Sequence, residues 1–285
     1  MTNYDEDVLR RLHETELEIL DAIRAICDEE GLNWFLIGGS VLGAKRHAGF
    51  IPWDDDIDMG MLRDDYERFL EVAPSKLPPE FELLSPRHTP GYAAMFAKVQ
   101  KKGTRFRNRE TVDAGVDMGI FVDILPRDRV ADDPKLRKRQ YRKARFYTRA
   151  SYLYHSEHIS RVPPGLKGKI ARMSFPLVHG VLKRVVNEDS LRESFWKKTR
   201  LAADEPATDC ASFTSPSMPP LPIKMFAEPE MVSFEGRSLP APNPAELYLE
   251  TAYGPTWTQV PPPEKRKSHL PVVLDFGDGV NVAKA

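Results

Sequence analysis

The chain has 285 residues, of which 41% are hydrophobic and 29% charged, the composition of a globular protein with a substantial core. No run approaches the roughly 18 to 20 apolar residues of a membrane-spanning helix, and the acidic N-terminus, MTNYDEDVLRRLHE, lacks the layout of a secretory signal. The two cysteines, Cys27 and Cys210, are too few for a disulfide framework and have no zinc-ligand spacing around them. These features predict a cytoplasmic protein.

The net charge of −1 conceals three regions of different charge. Residues 1–130 carry 17 Lys+Arg against 25 Asp+Glu, residues 131–203 carry 18 against 6, and residues 204–285 carry 6 against 11. We predict three regions within one domain: an acidic core, a basic helical region and a proline-rich C-terminal segment that packs on the core.

Helices and strands alternate in the first part of the chain. Apolar residues at spacings near 3.6 predict a helix over residues 5–30, ended by Gly31. Ser40 is predicted to cap a helix that runs to about His47. Apolar runs predict strands at 33–37, 56–62, 81–84, 92–99 and 119–125. A further helix is predicted at 64–72.

The later part of the chain is predicted to be helical and irregular. Residues 134–158 form a densely basic helical pattern. Residues 166–186 are mainly apolar with scattered basic residues, and Pro176 is predicted to break or kink any helix there. The stretch TSPSMPPLP, at 214–222, predicts a loop. The whole pattern predicts an α/β (α+β) fold, a mixed sheet flanked by helices.

An acidic motif follows a glycine-rich turn in the first part of the chain. Asp56 and Asp58 alternate with apolar residues, so both carboxylates are predicted to lie on one face of a strand. The preceding turn, Gly38-Gly39-Ser40, offers backbone N–H groups to phosphates without a Cβ in the way. Two such carboxylates can hold Mg²⁺ or Mn²⁺ together with the phosphates that the ion bridges. The motif predicts phosphoryl chemistry on a nucleotide; a solvated acidic turn or an incidental calcium loop is the alternative.

Other charged residues are weaker candidates. Asp123 lies in the apolar run GIFVDIL, where a carboxylate is costly unless paired, so we predict that it completes the metal shell or acts as a general base. A hydrogen-bonded structural carboxylate is the alternative. Lys45, Arg46 and His47 end the first short helix, where they either bind donor phosphates or complement the helix dipole.

These motifs together resemble a known family. The glycine turn, the Asp56-x-Asp58 pair and the late Asp123 are similar to the nucleotidyltransferase superfamily typified by DNA polymerase beta. More specifically, GGSVLGAKRHAGFIPWDDDIDMGMLRDDYERFL resembles the signature of LicD family phosphotransferases, which include fukutin-related proteins. Further segments follow that family in order: FAKVQ at 96–100, GIFVDILPRD at 119–128, VSFEGRSLPAPNPAELYLETAYGPTW at 232–257 and PPPEKRKSH at 261–269.

The resemblance implies an activity and roles for the residues. Family members move phosphocholine from CDP-choline, or a related polyol phosphate from a CDP-linked donor, onto cell-surface glycans such as lipopolysaccharide or teichoic acid. Asp56 and Asp58 match the metal-binding pair, Asp123 the third acidic position, and Gly39 and Ser40 the donor-phosphate turn. Two alternatives stay open: transfer of a nucleoside monophosphate from an NTP, and a non-catalytic, membrane-associated scaffold.

The basic region at 131–203 has two interpretations. In one it is a solvated helix face. In the other its Lys and Arg side chains lie on an anionic membrane at the inner leaflet, where lipid-linked glycan acceptors are presented. Nucleic acid is not expected as a partner, because the aromatic residues are not arranged as a stacking platform.

Overall fold

The structure is a computed structural model and describes residues 4–108, 116–156, 165–201, 205–216, 218–266 and 270–283. The helices are α1 (Glu6–Glu30), α2 (Gly38–His47), α3 (Arg63–Lys76), α4 (Pro134–His155), α5 (Leu166–Val185), α6 (Glu188–Thr199), α7 (Lys224–Ala227) and α8 (Ala245–Tyr253), with a short 3₁₀ helix at Pro263–Lys265. The strands are β1 (Phe35–Leu36), β2 (Asp58–Leu62), β3 (Phe81–Leu84), β4 (Ala97–Lys101), β5 (Arg105–Arg107), β6 (Phe121–Val130), β7 (Asp209–Ala211), β8 (Leu221–Pro222), β9 (Glu230–Phe234), β10 (Arg237–Ala241) and β11 (Val273–Asp275).

A mixed sheet lies at the centre of the fold. Its main path is β1-β2-β6-β4-β3, and β7 pairs with the far end of β6 and with β8. The β2–β6 pair is parallel, whereas the other neighbours are antiparallel. The pairs β9–β10 and β5–β11 form two small sheets beside it. Helices flank the sheet, which confirms the predicted α/β (α+β) class.

Of three hydrophobic clusters among the described residues, two join these layers. The larger one joins the buried face of α1, including Leu12, Ile19 and Ile23, to the central strands and to the C-terminal hairpin. The smaller one lies between the sheet and the pair α4–α6, around Phe195 and Phe213. The C-terminal segment also packs against N-terminal elements, because β10 contacts β1 and β9 contacts α2. The division of the chain into three regions stays a prediction.

The long first helix is confirmed, but several strand limits differ from the prediction. Asp5 caps α1, and Gly31 ends it with a left-handed φ of 65°. The strands predicted at 33–37 and 56–62 are shorter, and the one predicted at 92–99 lies at Ala97–Lys101. The strand predicted at 119–125 instead extends to Val130, because its second half pairs with β2 and β7. Sheet partners, which local sequence does not specify, decide these limits.

Two later predictions are wrong in part. No break occurs at Pro176, since α5 runs as a single helix from Leu166 to Val185, and the kink stays a prediction. A proline removes only one backbone hydrogen bond, and the rest of this helix is retained around it. The segment 214–222 is not entirely loop, because its end forms the short strand β8 against β7. Across the described residues, the helices lack the combination of length and apolarity needed to cross a membrane.

Candidate active site

Asp58 and Asp123 lie side by side on neighbouring strands. They are register partners in the parallel β2–β6 pair, in which the Asp123 amide donates to the Ile57 carbonyl at 3.0 Å. Neighbouring strands are about 4.8 Å apart, and paired residues project to the same face. Ile57 and Met59 are fully buried on the opposite side. The two carboxylates, distant in sequence, therefore share one face of the sheet.

Asp56 belongs to a second acidic group, in the loop that leads into β2. Carboxylate oxygens of Asp54, Asp55 and Asp56 lie within 4.8 Å of one another. Asp55 is buried and accepts a 2.5 Å hydrogen bond from the Tyr4 hydroxyl. The carbonyl oxygen of Asp54 lies 2.9 Å from Nε2 of His13, on α1. The loop is therefore held by His13 of α1 and by Tyr4, which lies just before that helix. Asp56 precedes the strand on which it was predicted to lie.

Repulsion among these carboxylates is strong. Burial raises the pKa of Asp56 well above its ordinary value of 3.8, and Asp58, Asp54 and Asp55 raise it further. Glu16 of α1 is buried beside them, and its pKa is raised well above 4.5, first by burial and then by Asp55 and Asp54. Oxygen ligands suit Mg²⁺ and Mn²⁺, and Mg²⁺ is usually held by one or two carboxylates with phosphates and waters, so the residues present are compatible with such an ion.

The glycine turn lies directly against the acidic cluster. A Cβ on Gly38 would lie 2.8 Å from Oδ2 of Asp58, and one on Gly39 would lie 2.6 Å from Oδ2 of Asp54. Only residues without side chains allow the carboxylates this close to the start of α2. The backbone N–H of Gly38, whose φ is +57°, donates to the Tyr248 hydroxyl at 2.8 Å.

Ser40 has a different role from the predicted helix cap. The residue at the cap position of α2 is Ile37, and Ser40 lies inside the helix. The Ser40 hydroxyl instead accepts a 2.9 Å hydrogen bond from the backbone N–H of Asp58. The cap prediction is wrong because the helix begins two residues earlier, at Gly38, so that Ser40 lies within its first turn. Ser40 thus ties α2 to the first residue of β2.

Lys45, Arg46 and His47 lie at the other end of α2, which is about 15 Å long. Lys45 forms ion pairs with glutamates of the C-terminal segment, one of them at 3.4 Å from Glu230. Arg46 donates to the carbonyl oxygen of Gln259 at 3.1 Å. Among the described residues, the linings of the two cavities beside the acidic pair include none of these three. Their role in binding donor phosphates stays a prediction.

Lys98 is a site residue that sequence reasoning missed. It is the register partner of Asp123 on β4, and its ammonium group forms an ion pair with the Asp123 carboxylate. The ammonium group also lies 3.4 Å from the centre of the Phe121 ring. A signal was present in the sequence, because Lys98 is the single charge in the apolar run YAAMFAKV.

Two cavities adjoin the acidic pair. The first has a volume of about 220 Å³ and contains Asp123 and Asp56. Its wall also includes Lys98 and five aromatic residues, Tyr92, Phe96, Phe106, Phe121 and Tyr152. The second has a volume of about 250 Å³ and contains Asp58 and Gly38. Since Asp58 and Asp123 are direct neighbours, two ligands can reach the carboxylates from different cavities.

The chain is similar in sequence to proteins of known activity. Residues 31–160 match the family model described as LicD/FKTN/FKRP, nucleotidyltransferase domain. The chain is 27% identical over 259 residues to the lipopolysaccharide cholinephosphotransferase LicD of Haemophilus influenzae. The aligned residues make up 89% of this chain and 92% of that protein. The chain is 42% identical over 57 residues to the ribitol 5-phosphate transferase FKRP of Homo sapiens and of Mus musculus, 20% of this chain and 11% of each relative.

Proposed function

We propose that the chain is a LicD-type transferase that moves phosphocholine or a related substituted phosphate, on its match to the nucleotidyltransferase-domain model over residues 31–160 and its similarity to a cholinephosphotransferase along most of its length. The donor in this proposal is CDP-linked, the acceptor is a hydroxyl of a cell-surface glycan such as lipopolysaccharide or teichoic acid, and CMP is released. The observation that supports it best is the placement of Asp58 and Asp123 as direct neighbours between two cavities. A CDP-linked donor fits this arrangement, because its reacting phosphate can lie at the two carboxylates while its head group and its nucleotide extend into different cavities.

The acidic residues have separate roles in the transfer, as a base and as metal ligands. The acceptor hydroxyl attacks the phosphorus, the bond from phosphorus to the CMP oxygen breaks, and the hydroxyl proton passes to a carboxylate. We assign the proton to Asp123, which Lys98 holds in place through their ion pair. Asp56 and Asp58 would hold Mg²⁺ or Mn²⁺, which neutralises phosphate charge when bound. The glycines of α2 allow the donor phosphates to approach beside Asp58.

The lining of the first cavity supports choline as the head group. Five aromatic rings and the carboxylates of Asp55, Asp56 and Asp123 surround it. Aromatic faces with nearby negative charge are suited to a quaternary ammonium ion. The ammonium group of Lys98 already lies over the Phe121 ring, so the protein itself places a cation there. Polyol head groups have no charge for such a wall to recognise.

Helices α4 and α5 support peripheral association with a membrane that carries the acceptor. Apolar side chains are exposed there, namely Phe146 on α4 and Leu177, Val181 and Val185 on α5. The groove between the two helices is lined by four cations, Lys138, Arg142, Arg145 and Arg149. Apolar residues that project beside a cationic rim match an anionic lipid surface, where each cation contributes about 1 kcal/mol.

Vesicle binding tests this surface. The double variant Arg145→Gln, Arg149→Gln is expected to weaken binding to phosphatidylserine vesicles about 30-fold at low salt, from about 1 kcal/mol for each charge. Arg10→Gln, at an exposed position of α1, is the matched control and should bind like the wild type. Equal recovery of the wild type on neutral and anionic vesicles would exclude the membrane surface.

Product analysis tests the reaction itself. The protein is incubated with Mg²⁺ or Mn²⁺, a crude surface-glycan acceptor and, in separate arms, CDP-choline, CDP-glycerol, CDP-ribitol or CTP. The proposal predicts CMP from a CDP-linked donor, with choline preferred. Pyrophosphate from CTP instead would indicate nucleotidyl transfer. No product in any arm, with an acceptor shown to be competent, would favour a non-catalytic scaffold.

A further inference from the structure

Arg127 is a buried cation on the same strand as the catalytic carboxylate. Asp123, Leu125 and Arg127 occupy alternate positions of β6 and therefore project to the same face of the sheet. Only 4% of the Arg127 surface is exposed. Its guanidinium lies 4.0 Å from the centre of the Phe226 ring, which fixes the plane of the group.

Arg127 forms no ion pair with a described side chain. No carboxylate oxygen of the described residues lies within 4.0 Å of its guanidinium, and its Nε has no hydrogen-bond partner. The Tyr248 hydroxyl and the Cys210 thiol form hydrogen bonds with its side chain, and Asp58 lines the same cavity. The neighbouring Tyr248 hydroxyl and Cys210 thiol are uncharged, because burial raises the pKa of both, that of Cys210 to about 12. A buried charge without an ion pair costs several kcal/mol, and a ring contact returns about 2 kcal/mol. An anionic ligand would balance this charge.

The surroundings of Arg127 are suited to a phosphate group. Arg127 lines the second cavity, of about 250 Å³, together with Gly38 and Asp58 at the reacting centre. Four hydroxyl-bearing residues complete the polar lining, Ser212, Ser215, Tyr248 and Tyr253. A planar guanidinium flanked by hydroxyl groups is a common arrangement for binding phosphate oxygens.

We propose that Arg127 binds the phosphate that leaves as CMP, so that the second cavity is the nucleotide side of the site. This inference rests on the proposed function. The phosphate to be transferred lies between Asp58 and Asp123, and the leaving phosphate extends from there toward Arg127. As the bond to phosphorus breaks, negative charge grows on the leaving oxygen, and a fixed guanidinium stabilises it.

Calorimetric titration of the full chain tests the assignment. The two ligands are CMP and cytidine, which lacks the phosphate. Arg127→Met is expected to weaken CMP binding about 10- to 100-fold, as loss of charge-assisted hydrogen bonds does, and to leave cytidine binding unchanged. Arg127→Lys should lose less, because it keeps the charge but not the planar fork. Arg129→Met is the matched control, since Arg129 lies on the same strand and donates to the Glu205 carbonyl instead.

The outcomes separate this inference from the proposed function. CMP that binds Arg127→Met as tightly as the wild type would overturn the inference, while CMP release by the wild type would leave the proposed function intact. Weaker binding of glycerol 3-phosphate but not of CMP would also overturn it, since the phosphate would then belong to the acceptor. If Arg127→Met is unfolded and shows no melting transition, the CMP affinity of Arg127→Lys decides the question. CMP that binds Arg127→Lys as tightly as the wild type would overturn the assignment.

Discussion

Replacing Asp56 by Asn tests whether the acidic cluster is built for function at the expense of stability. The substitution keeps the shape of the side chain and removes one negative charge. Two carboxylates 4.8 Å apart repel each other by about 3.5 kcal/mol at an effective dielectric constant of 20. The pKa of Asp56 is already raised, so part of this repulsion is relieved by protonation. We therefore expect Asp56→Asn to stabilise the metal-free protein by about 1–2 kcal/mol, or about 2–4 °C in Tm.

The pH dependence of this gain has a defined sign. Because the pKa of Asp56 is raised in the folded state, the wild type keeps full stability below the ordinary value of 3.8 and loses stability as the pH rises above it. The advantage of Asp56→Asn should therefore be absent near pH 3.5 and grow toward neutral pH. Thermal melts in EDTA across this range measure it.

Divalent cations provide the second arm of the same experiment. Mg²⁺ should raise the Tm of the wild type and raise that of Asp56→Asn much less. Asp64→Asn, at an exposed position in the first turn of α3, is the control and should change stability by less than about 0.5 kcal/mol. A variant Asp56→Asn that melts below the wild type in EDTA would refute the reasoning.

Three further substitutions test parts of the fold around the site. Ser40→Ala should cost about 1–3 kcal/mol in urea unfolding, because the backbone N–H of Asp58 loses its acceptor; unchanged stability would contradict this. Gly43→Ala should also lower stability by about 1–3 kcal/mol despite the helix propensity of Ala, since its Cβ would lie 2.3 Å from the Gly49 carbonyl oxygen. Burial alone would raise the pKa of Glu67, but three arginines outweigh burial and lower that pKa below 4.5. Glu67→Gln should therefore be less stable than the wild type at pH 7 by about 1–3 kcal/mol. This difference should disappear as the pH falls below 4. The three arginines are Arg63, Arg87 and Arg200.

Local sequence was sufficient where a single element determines its own form. The period of apolar residues predicted α1, and Gly31 ends it in the conformation that glycine favours. The acidic motif predicted Asp56 and Asp58 opposite a glycine turn; Asp58 lies against Gly38, whereas Asp54 rather than Asp56 lies against Gly39. In each case, the residues that interact are close in the chain.

Sequence alone could not reveal contacts that depend on strand order. Lys98 reaches Asp123 because β4 and β6 are neighbours, although β5 lies between them in the chain. The cavity of Arg127 is closed by Tyr248 and by residues near 215, which come from distant parts of the C-terminal segment. Asp123 was identified through an apolar context and a family resemblance, and its register with Asp58 is evident only in the sheet.

The most direct test of the central claim is the rate of CMP release from CDP-choline, measured for the wild type, Asp58→Asn and Asp123→Asn with a competent glycan acceptor. Because the two carboxylates meet between the cavities, both variants are expected to lose at least about 100-fold in rate while keeping a cooperative melting transition. The wild-type rate should fall to background in EDTA and return with Mg²⁺ or Mn²⁺. Full-rate CMP release by either folded variant would contradict the account.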